Sequence, residues 1–165
     1  MFGPSCSGKS TVSKKIAQQL GAQWHLIDRD DLIENGSLDE NDLVGFADLI
    51  NKKAQISSVV IDTNHYTQAF FDLLKAESKL RILVYAPIAT LLARDELRTQ
   101  RLARSAQRAL RAKRFVIDNY NYFFNKENGN YTGLIEDNGL LYTPFEYDLL
   151  MKSDAVESKK VIKNA

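Results

Sequence analysis

The chain has 165 residues, 44% of them hydrophobic and 26% charged, with 22 Lys and Arg against 21 Asp and Glu for a formal net charge of +1. This length predicts one domain over 1–165 with a real core. No apolar run approaches the roughly 20 residues of a membrane span, and the near-neutral charge gives no global electrostatic reason to expect nucleic acid. The single cysteine, Cys6, has no partner for an internal disulfide, so a reducing, cytoplasmic setting is expected.

The first element in chain order is a loop. Gly3-Pro4-Ser5-Cys6-Ser7-Gly8-Lys9-Ser10-Thr11 fits the pattern G-x-x-x-x-G-K-[ST], which cradles phosphate because glycines let successive N–H groups turn inward. In that pattern Gly3, Ser5, Cys6, Ser7, Gly8, Lys9, Ser10 and Thr11 contact the nucleotide phosphates. Lys9 reaches the terminal phosphates and the Ser10 hydroxyl ligates magnesium. An amphipathic helix over 10–20 follows, with Val12, Ile16, Ala17 and Leu20 on one face and Gly21 as its stop. Only Met1 and Phe2 precede the loop, whereas a strand usually takes about five or six residues. The first strand therefore reads as truncated, and further residues upstream are expected.

Residues 23–28 predict a short strand that delivers acidic groups at its C-terminal end, the edge where open α/β sheets bind ligands. Ser37 is the expected cap of a helix through 39–53 with Leu43, Phe46, Ala47 and Ile50 as its apolar stripe. Residues 57–62 contain the β-branched run Val59-Val60-Ile61 and end at Asp62, as a strand buried on both faces would. A helix over 67–78 and a strand over 80–85 come next. Pro87 then opens a long helical stretch from 88 to about 125, with at most one break. A strand over 147–151 and a short helix over 157–164 close the chain. This alternation predicts a doubly wound parallel sheet of about five strands with helices on both faces. Residues 126–145 interrupt it with Asn128-Gly129 and Asn138-Gly139, two turn signals that mark an insertion, a hairpin or a loop.

Three groups of side chains carry chemistry. Asp62 ends its strand where phosphate-loop proteins place a magnesium-associated carboxylate. Asp28, Asp30 and Asp31 follow the second strand, and in extended backbone Asp28 and Asp30 would point the same way. One would then position magnesium while the other accepts a proton from a hydroxyl. Arg94, Arg98, Arg101, Arg104, Arg108, Arg111 and Arg114 recur every three or four residues, which on one helix makes a continuous basic face. Arginines of this kind neutralise charge on a transferring phosphoryl group. His25 and His65 have no partner at metal-ligand spacing and read as structural or surface residues. Cys6, inside the loop, is a candidate for oxidation that blocks nucleotide.

The loop 3–11, the run Trp24-His25-Leu26-Ile27-Asp28-Arg29-Asp30-Asp31-Leu32-Ile33-Glu34 and the series Arg94-Asp95, Arg98 and Arg101 together resemble the small phosphate-loop kinases. The chloramphenicol phosphotransferase-like group is the nearest in motif, with looser similarity to shikimate, adenylylsulfate and zeta-toxin kinases. The resemblance covers about 1–115 and resumes near Tyr147. It implies a P-loop NTPase fold with an arginine-bearing helical lid over about 94–114, followed by a Tyr- and Asn-rich insertion over about 115–145. It also implies ATP and Mg2+ as cofactors, with γ-phosphoryl transfer to a hydroxyl of a small molecule. In that reading Lys9, Asp30, Arg98 and Arg101 are catalytic, Arg94 joins the nucleotide site, and Ser10, Asp28 and Asp62 hold the metal or its water. The insertion is longer than the family's connection and implies a different acceptor pocket.

Two alternatives stand beside this. The arginine stripe would suit a polynucleotide or nucleoside end as acceptor, with steeply salt-dependent binding. A catalytically inactive nucleotide-binding module would bind ATP without transfer. A GTPase is disfavoured because Asn125-Lys126-Glu127-Asn128 lacks the aspartate of a guanine-reading motif and no Asp-x-x-Gly follows the third strand.

Overall fold

A computed structural model describes residues 1–125, 127, 129–136 and 139–153. It is a mixed α/β structure with short parallel strands. Strand β1 (Trp24–Asp28) pairs in parallel with β2 (Ser58–Asp62), and β3 (Ile82–Tyr85) pairs in parallel with β6 (Leu149–Lys152). Phe2 joins the two pairs, since it bridges Thr63 just beyond β2 on one side and Leu83 in β3 on the other. The backbone bonds are regular. Phe2 N–H donates to the Ile82 carbonyl at 2.9 Å, Val84 N–H to the Phe2 carbonyl at 2.8 Å, and Thr63 N–H to the Met1 carbonyl at 3.1 Å. The first strand is thus represented by a bridge at Phe2, in a central position between β2 and β3.

Helix α1 (Lys9–Leu20) leaves the loop and packs along β1 and β2. A six-residue helix α2 (Arg29–Glu34) follows β1 directly, and α3 (Leu43–Ala54) packs against β2 and against α4 (Gln68–Leu73). Strand alternation turns Ile27, Val59 and Ile61 toward a core with Phe46, Ala47, Ile50, Phe70 and Leu74. A second core gathers Phe2, Tyr66, Leu83, Tyr85, Phe123 and Phe124, and Phe71 touches both. Phe2 is 2% exposed and stacks on Tyr66 with ring centroids 4.1 Å apart, so this one residue contributes both sheet continuity and core.

Several elements differ from their expected limits, each for a local reason. Helix α3 begins at Leu43 because Asp42, rather than Ser37, caps it, accepting from Gly45 N–H at 2.7 Å. Asp39 accepts from Asn41 N–H at 2.8 Å, a local turn that competes with helix over 39–42. Helix α4 stops at Leu73 instead of 78. Asn51 from α3 donates to the Leu73 carbonyl at 2.9 Å and accepts from Lys75 N–H at 2.8 Å, which takes the backbone groups the helix would have used.

The long helical stretch is two helices, α5 (Ile88–Arg101) and α6 (Ala106–Phe123). Ala103 adopts a left-handed φ of 47°, Arg104 N–H donates to the Thr99 carbonyl and Ala103 N–H to the Gln100 carbonyl, both at 3.1 Å. This is a Schellman stop without its usual glycine. Arg104 locks it by donating to the buried Asp95 at 3.0 Å and to Thr99 Oγ1 at 3.2 Å. The seven arginines therefore do not form one continuous helical face. They divide between α5, the connection and α6. The expected insertion from 115 also begins later, because α6 carries the chain to Phe123; beyond it β4 (Asn130–Glu136) and β5 (Gly139–Thr143) form an antiparallel hairpin. Asn128, Asn138 and the expected helix at 157–164 lie outside the described residues.

Arg81 clamps the start of β3 to the approach to β6. Its side chain donates to Asp148 at 3.1 Å from Nε and 2.9 Å from Nη2, and to Glu146 at 2.6 Å from Nη1. Hydrogen bonding from this guanidinium holds the Asp148 carboxyl below its ordinary range. A depressed carboxylate contributes stability that is present above its unfolded value of about 4 and is lost as pH falls through the folded value. Asp148 is 35% exposed, so solvent screening limits the worth of the pair to about 1–2 kcal/mol. Thermal melts of Arg81→Ala should show that loss at neutral pH, with the gap from the unchanged protein closing in acid below about pH 4.

Candidate active site at the carboxyl edge of the sheet

The loop between Phe2 and α1 is held by its own backbone and by two distant side chains. Gly3 (φ 144°), Cys6 (φ 63°) and Gly8 (φ 89°) all have positive φ, which costs little at glycine and stores strain at Cys6. Ser7 N–H donates to the Pro4 carbonyl at 3.2 Å. Asn119 from α6 accepts from Ser5 N–H at 2.6 Å, and Arg94 from α5 donates to the Cys6 carbonyl at 3.1 Å and to Ser153 Oγ at 2.9 Å. Gly8 caps α1 through its backbone, with no side-chain hydrogen bond to the helix N-terminus.

A Cβ added to Gly3 would lie 2.0 Å from the Val84 carbonyl oxygen. Both that collision with β3 backbone and the positive φ oppose any side chain there. Gly3→Ala should destabilise the fold by about 3 kcal/mol or more, read as a fall in melting temperature.

Lys9 is 8% exposed, and its ammonium donates to the Pro4 carbonyl at 2.9 Å. Burial lowers its pKa, while Asp62, Asp30, Cys6 and Asp28, in that order, pull it back up. The parallel register makes Asp28 and Asp62 direct neighbours at the ends of β1 and β2. Asp62 is 3% exposed with Oδ2 lacking a hydrogen-bond partner among the described residues. Burial, then the Asp62 charge beside it, raises the Asp28 pKa. Two carboxylates and one buried ammonium thus converge beneath the loop.

The Asp28-Arg29-Asp30 run is not extended, as the sequence reading had it. Asp28 ends β1 and caps α2, accepting from Asp30 N–H at 3.1 Å, and Asp30 and Asp31 occupy the first turn of that helix. A capping aspartate and an acidic first turn are favourable in themselves, which is why the chain turns into helix there. Asp30 is exposed at this turn and acts electrostatically on both Lys9 and Asp28.

The remaining expected residues separate. Ser10 and Thr11 are exposed in the first turn of α1, adjacent to Lys9. Arg94 braces the loop through a backbone carbonyl. Arg98 and Arg101 are exposed further along α5 with no side-chain hydrogen bond or ion pair among the described residues. His25 is exposed on β1, and His65 lies on the surface beyond β2, its pKa lowered by partial desolvation of the ring and then by Arg29.

Two residues with a place in the site escaped the sequence reading. Asn119 gives no signal in a polar run at the end of α6. Arg29 sits inside the acidic run and has its own sequence signal, a cation between two carboxylates, yet it is 1% exposed and turned inward.

Among the described residues no group of three or more His, Cys, Asp and Glu is arranged to hold a metal. A magnesium site built from one hydroxyl, one or two carboxylates, phosphate oxygens and water does not require such a group. Ser10, Asp28 and the orphaned Oδ2 of Asp62 fit that donor set. Among the described residues no helix is long and apolar enough to cross a membrane. The chain matches no protein-family model and no curated protein.

Proposed function

We propose that the protein is a magnesium-dependent P-loop kinase that transfers the γ-phosphoryl group of ATP to a hydroxyl of a small molecule. The observation that carries this reading is the convergence of the buried Lys9 ammonium with Asp28 and Asp62 beneath a loop of the pattern G-x-x-x-x-G-K-[ST]. A parallel arrangement of β1, β2, Phe2, β3 and β6 with the loop leaving the central position supports it, because the loop then lies at the carboxyl edge where such sheets bind ligands.

Each residue has a role in this scheme. Lys9 and the loop amides other than those of Ser5 and Ser7, which are bonded within the fold, hold the β- and γ-phosphates, with the N-terminus of α1 adding its dipole. Ser10, Asp28 and Asp62 would hold magnesium or its water, and the ion when bound neutralises phosphate charge. Asp30 accepts the proton of the acceptor hydroxyl as the acceptor oxygen bonds to the γ-phosphorus. The bond from that phosphorus to the bridging oxygen breaks, and ADP leaves with the electron pair. Arg98 and Arg101 on α5 are free to meet the transferring group. Arg94 serves by holding the loop.

The test is an unbiased screen of metabolites and antibiotics with ATP and Mg2+, read by mass spectrometry. A product heavier by one phosphate, with equimolar ADP, supports transfer. ATP binding without any phosphorylated product supports an inactive nucleotide-binding module instead.

A further inference from the structure

Six buried side-chain atoms lack a hydrogen-bond partner among the described residues, and five residues supply them: Ser7, Arg29, Asp62, Asn64 and Tyr66. Asp62 ends β2, and the other four stand on segments that follow Phe2, β1 and β2. Arg29 is the single cation of the set and heads the largest fully buried side chains. Its Nη2 donates to the Glu40 carbonyl, and its guanidinium carbon lies 5.8 Å from the centre of the Phe46 ring. Nε and Nη1, which carry three N–H bonds between them, have no partner, and no carboxylate among the described residues lies within ion-pair reach.

A guanidinium removed from water and left without a counter-charge is costly to the fold, and the same apolar surroundings strengthen its attraction for any anion that reaches it. Its location bears on what would carry that anion. Arg29 immediately follows the capping Asp28 and immediately precedes Asp30. The neighbouring strand end leads into Thr63, whose hydroxyl accepts from His65 N–H at 3.0 Å and donates to the His65 carbonyl at 2.9 Å. That turn brings His65 into the combined field of Arg29, Glu40 and Asp30. Arg29 therefore stands beside two residues of the candidate site in the chain, with His65 near enough to feel its charge.

We infer that the acceptor carries an oxyanion, carboxylate or phosphate, which Arg29 binds while Asp30 receives the hydroxyl proton. This rests on the transfer reading above and names the substrate class for it. Arg29 contributes charge and a planar donor array, for which lysine is an incomplete substitute.

The test uses matched probes on one polyhydroxyl ring: glucose, glucuronate and glucose 6-phosphate. Binding is followed by calorimetry with and without ATP and Mg2+, and turnover by ADP release. Glucuronate or glucose 6-phosphate should bind more tightly than glucose, and which of them does so separates a carboxylate from a phosphate acceptor. Arg29→Met should weaken that anion by about 30-fold or more, with Arg29→Lys between, while ATP affinity stays within about twofold. Equal binding of all three probes, binding of none, or an Arg29→Met variant that holds the anion as well as the unchanged protein would overturn the inference. If Arg29→Met does not fold, the preference of the unchanged protein across the three probes decides. ATP binding in the same samples keeps the two readings apart. Anion binding without ATP binding would sink the kinase reading alone, and turnover of glucose without any anion preference would sink the oxyanion site alone.

Discussion

Replacing Lys9 with alanine should abolish useful nucleotide binding, a loss of about 2–5 kcal/mol in ATP affinity, or roughly 30- to 5,000-fold, measured by calorimetry. The size follows from the geometry. The ammonium is buried, bonded to the Pro4 carbonyl, and faces Asp62, Asp30 and Asp28. Without it, the triphosphate would meet two strand-end carboxylates with no intervening cation, so like-charge repulsion adds to the lost attraction. Turnover should fall with binding. A folded Lys9→Ala protein that still binds ATP within a few-fold of the unchanged chain would exclude this loop as the phosphate site.

The same substitution has a stability signature with a defined sign. Burial lowers the Lys9 pKa, so the unfolded chain holds that proton more tightly than the fold does. The penalty is full below the folded value and is relieved as pH rises toward the ordinary lysine value of about 10.4. Lys9→Met, which keeps much of the volume, should remove that alkaline relief from melting curves of the nucleotide-free protein.

Asp30→Asn should leave ATP affinity within a few-fold and reduce turnover by about 10²- to 10⁴-fold, the usual worth of a positioned general base. Asparagine preserves the first turn of α2, including the Asp30 N–H bond to Asp28, because that bond uses backbone. The exposed carboxylate is what disappears. Separate measurement of binding and single-turnover rates checks this, and parallel losses in both would remove Asp30 as the base.

How much of this was readable beforehand depends on the range of the interactions involved. The loop 3–11, the stop at Gly21 and the β-branched run before Asp62 report directly on local backbone, since glycine freedom and side-chain branching act within a few residues. The apolar stripe Leu43, Phe46, Ala47 and Ile50 likewise foretold α3, with Phe46, Ala47 and Ile50 buried as expected. Limits were less legible. Asn51 ends α4 from another helix, and Ala103 takes a left-handed conformation that Arg104 secures through Asp95. Neither leaves a glycine or proline to read.

The chemistry divides along the same line. Local composition was enough to nominate Lys9, Ser10, Asp28, Asp30 and Asp62, because the G-x-x-x-x-G-K-[ST] pattern and acidic strand ends are written in contiguous residues. Spacing alone suggested that seven arginines act together, and the break at 102–105 separates them. Parallel pairing decided that Asp28 and Asp62 are neighbours, although 34 positions part them in the chain. Packing decided that Arg94 braces the loop, that Asn119 reaches it from α6, and that Arg29 is buried with no counter-charge among the described residues. A sequence determines which groups a segment carries and which backbone states it tolerates. Whether a charged group ends in water, on a backbone carbonyl or in an apolar interior depends on surfaces contributed by distant segments, and only the tertiary structure brings those together.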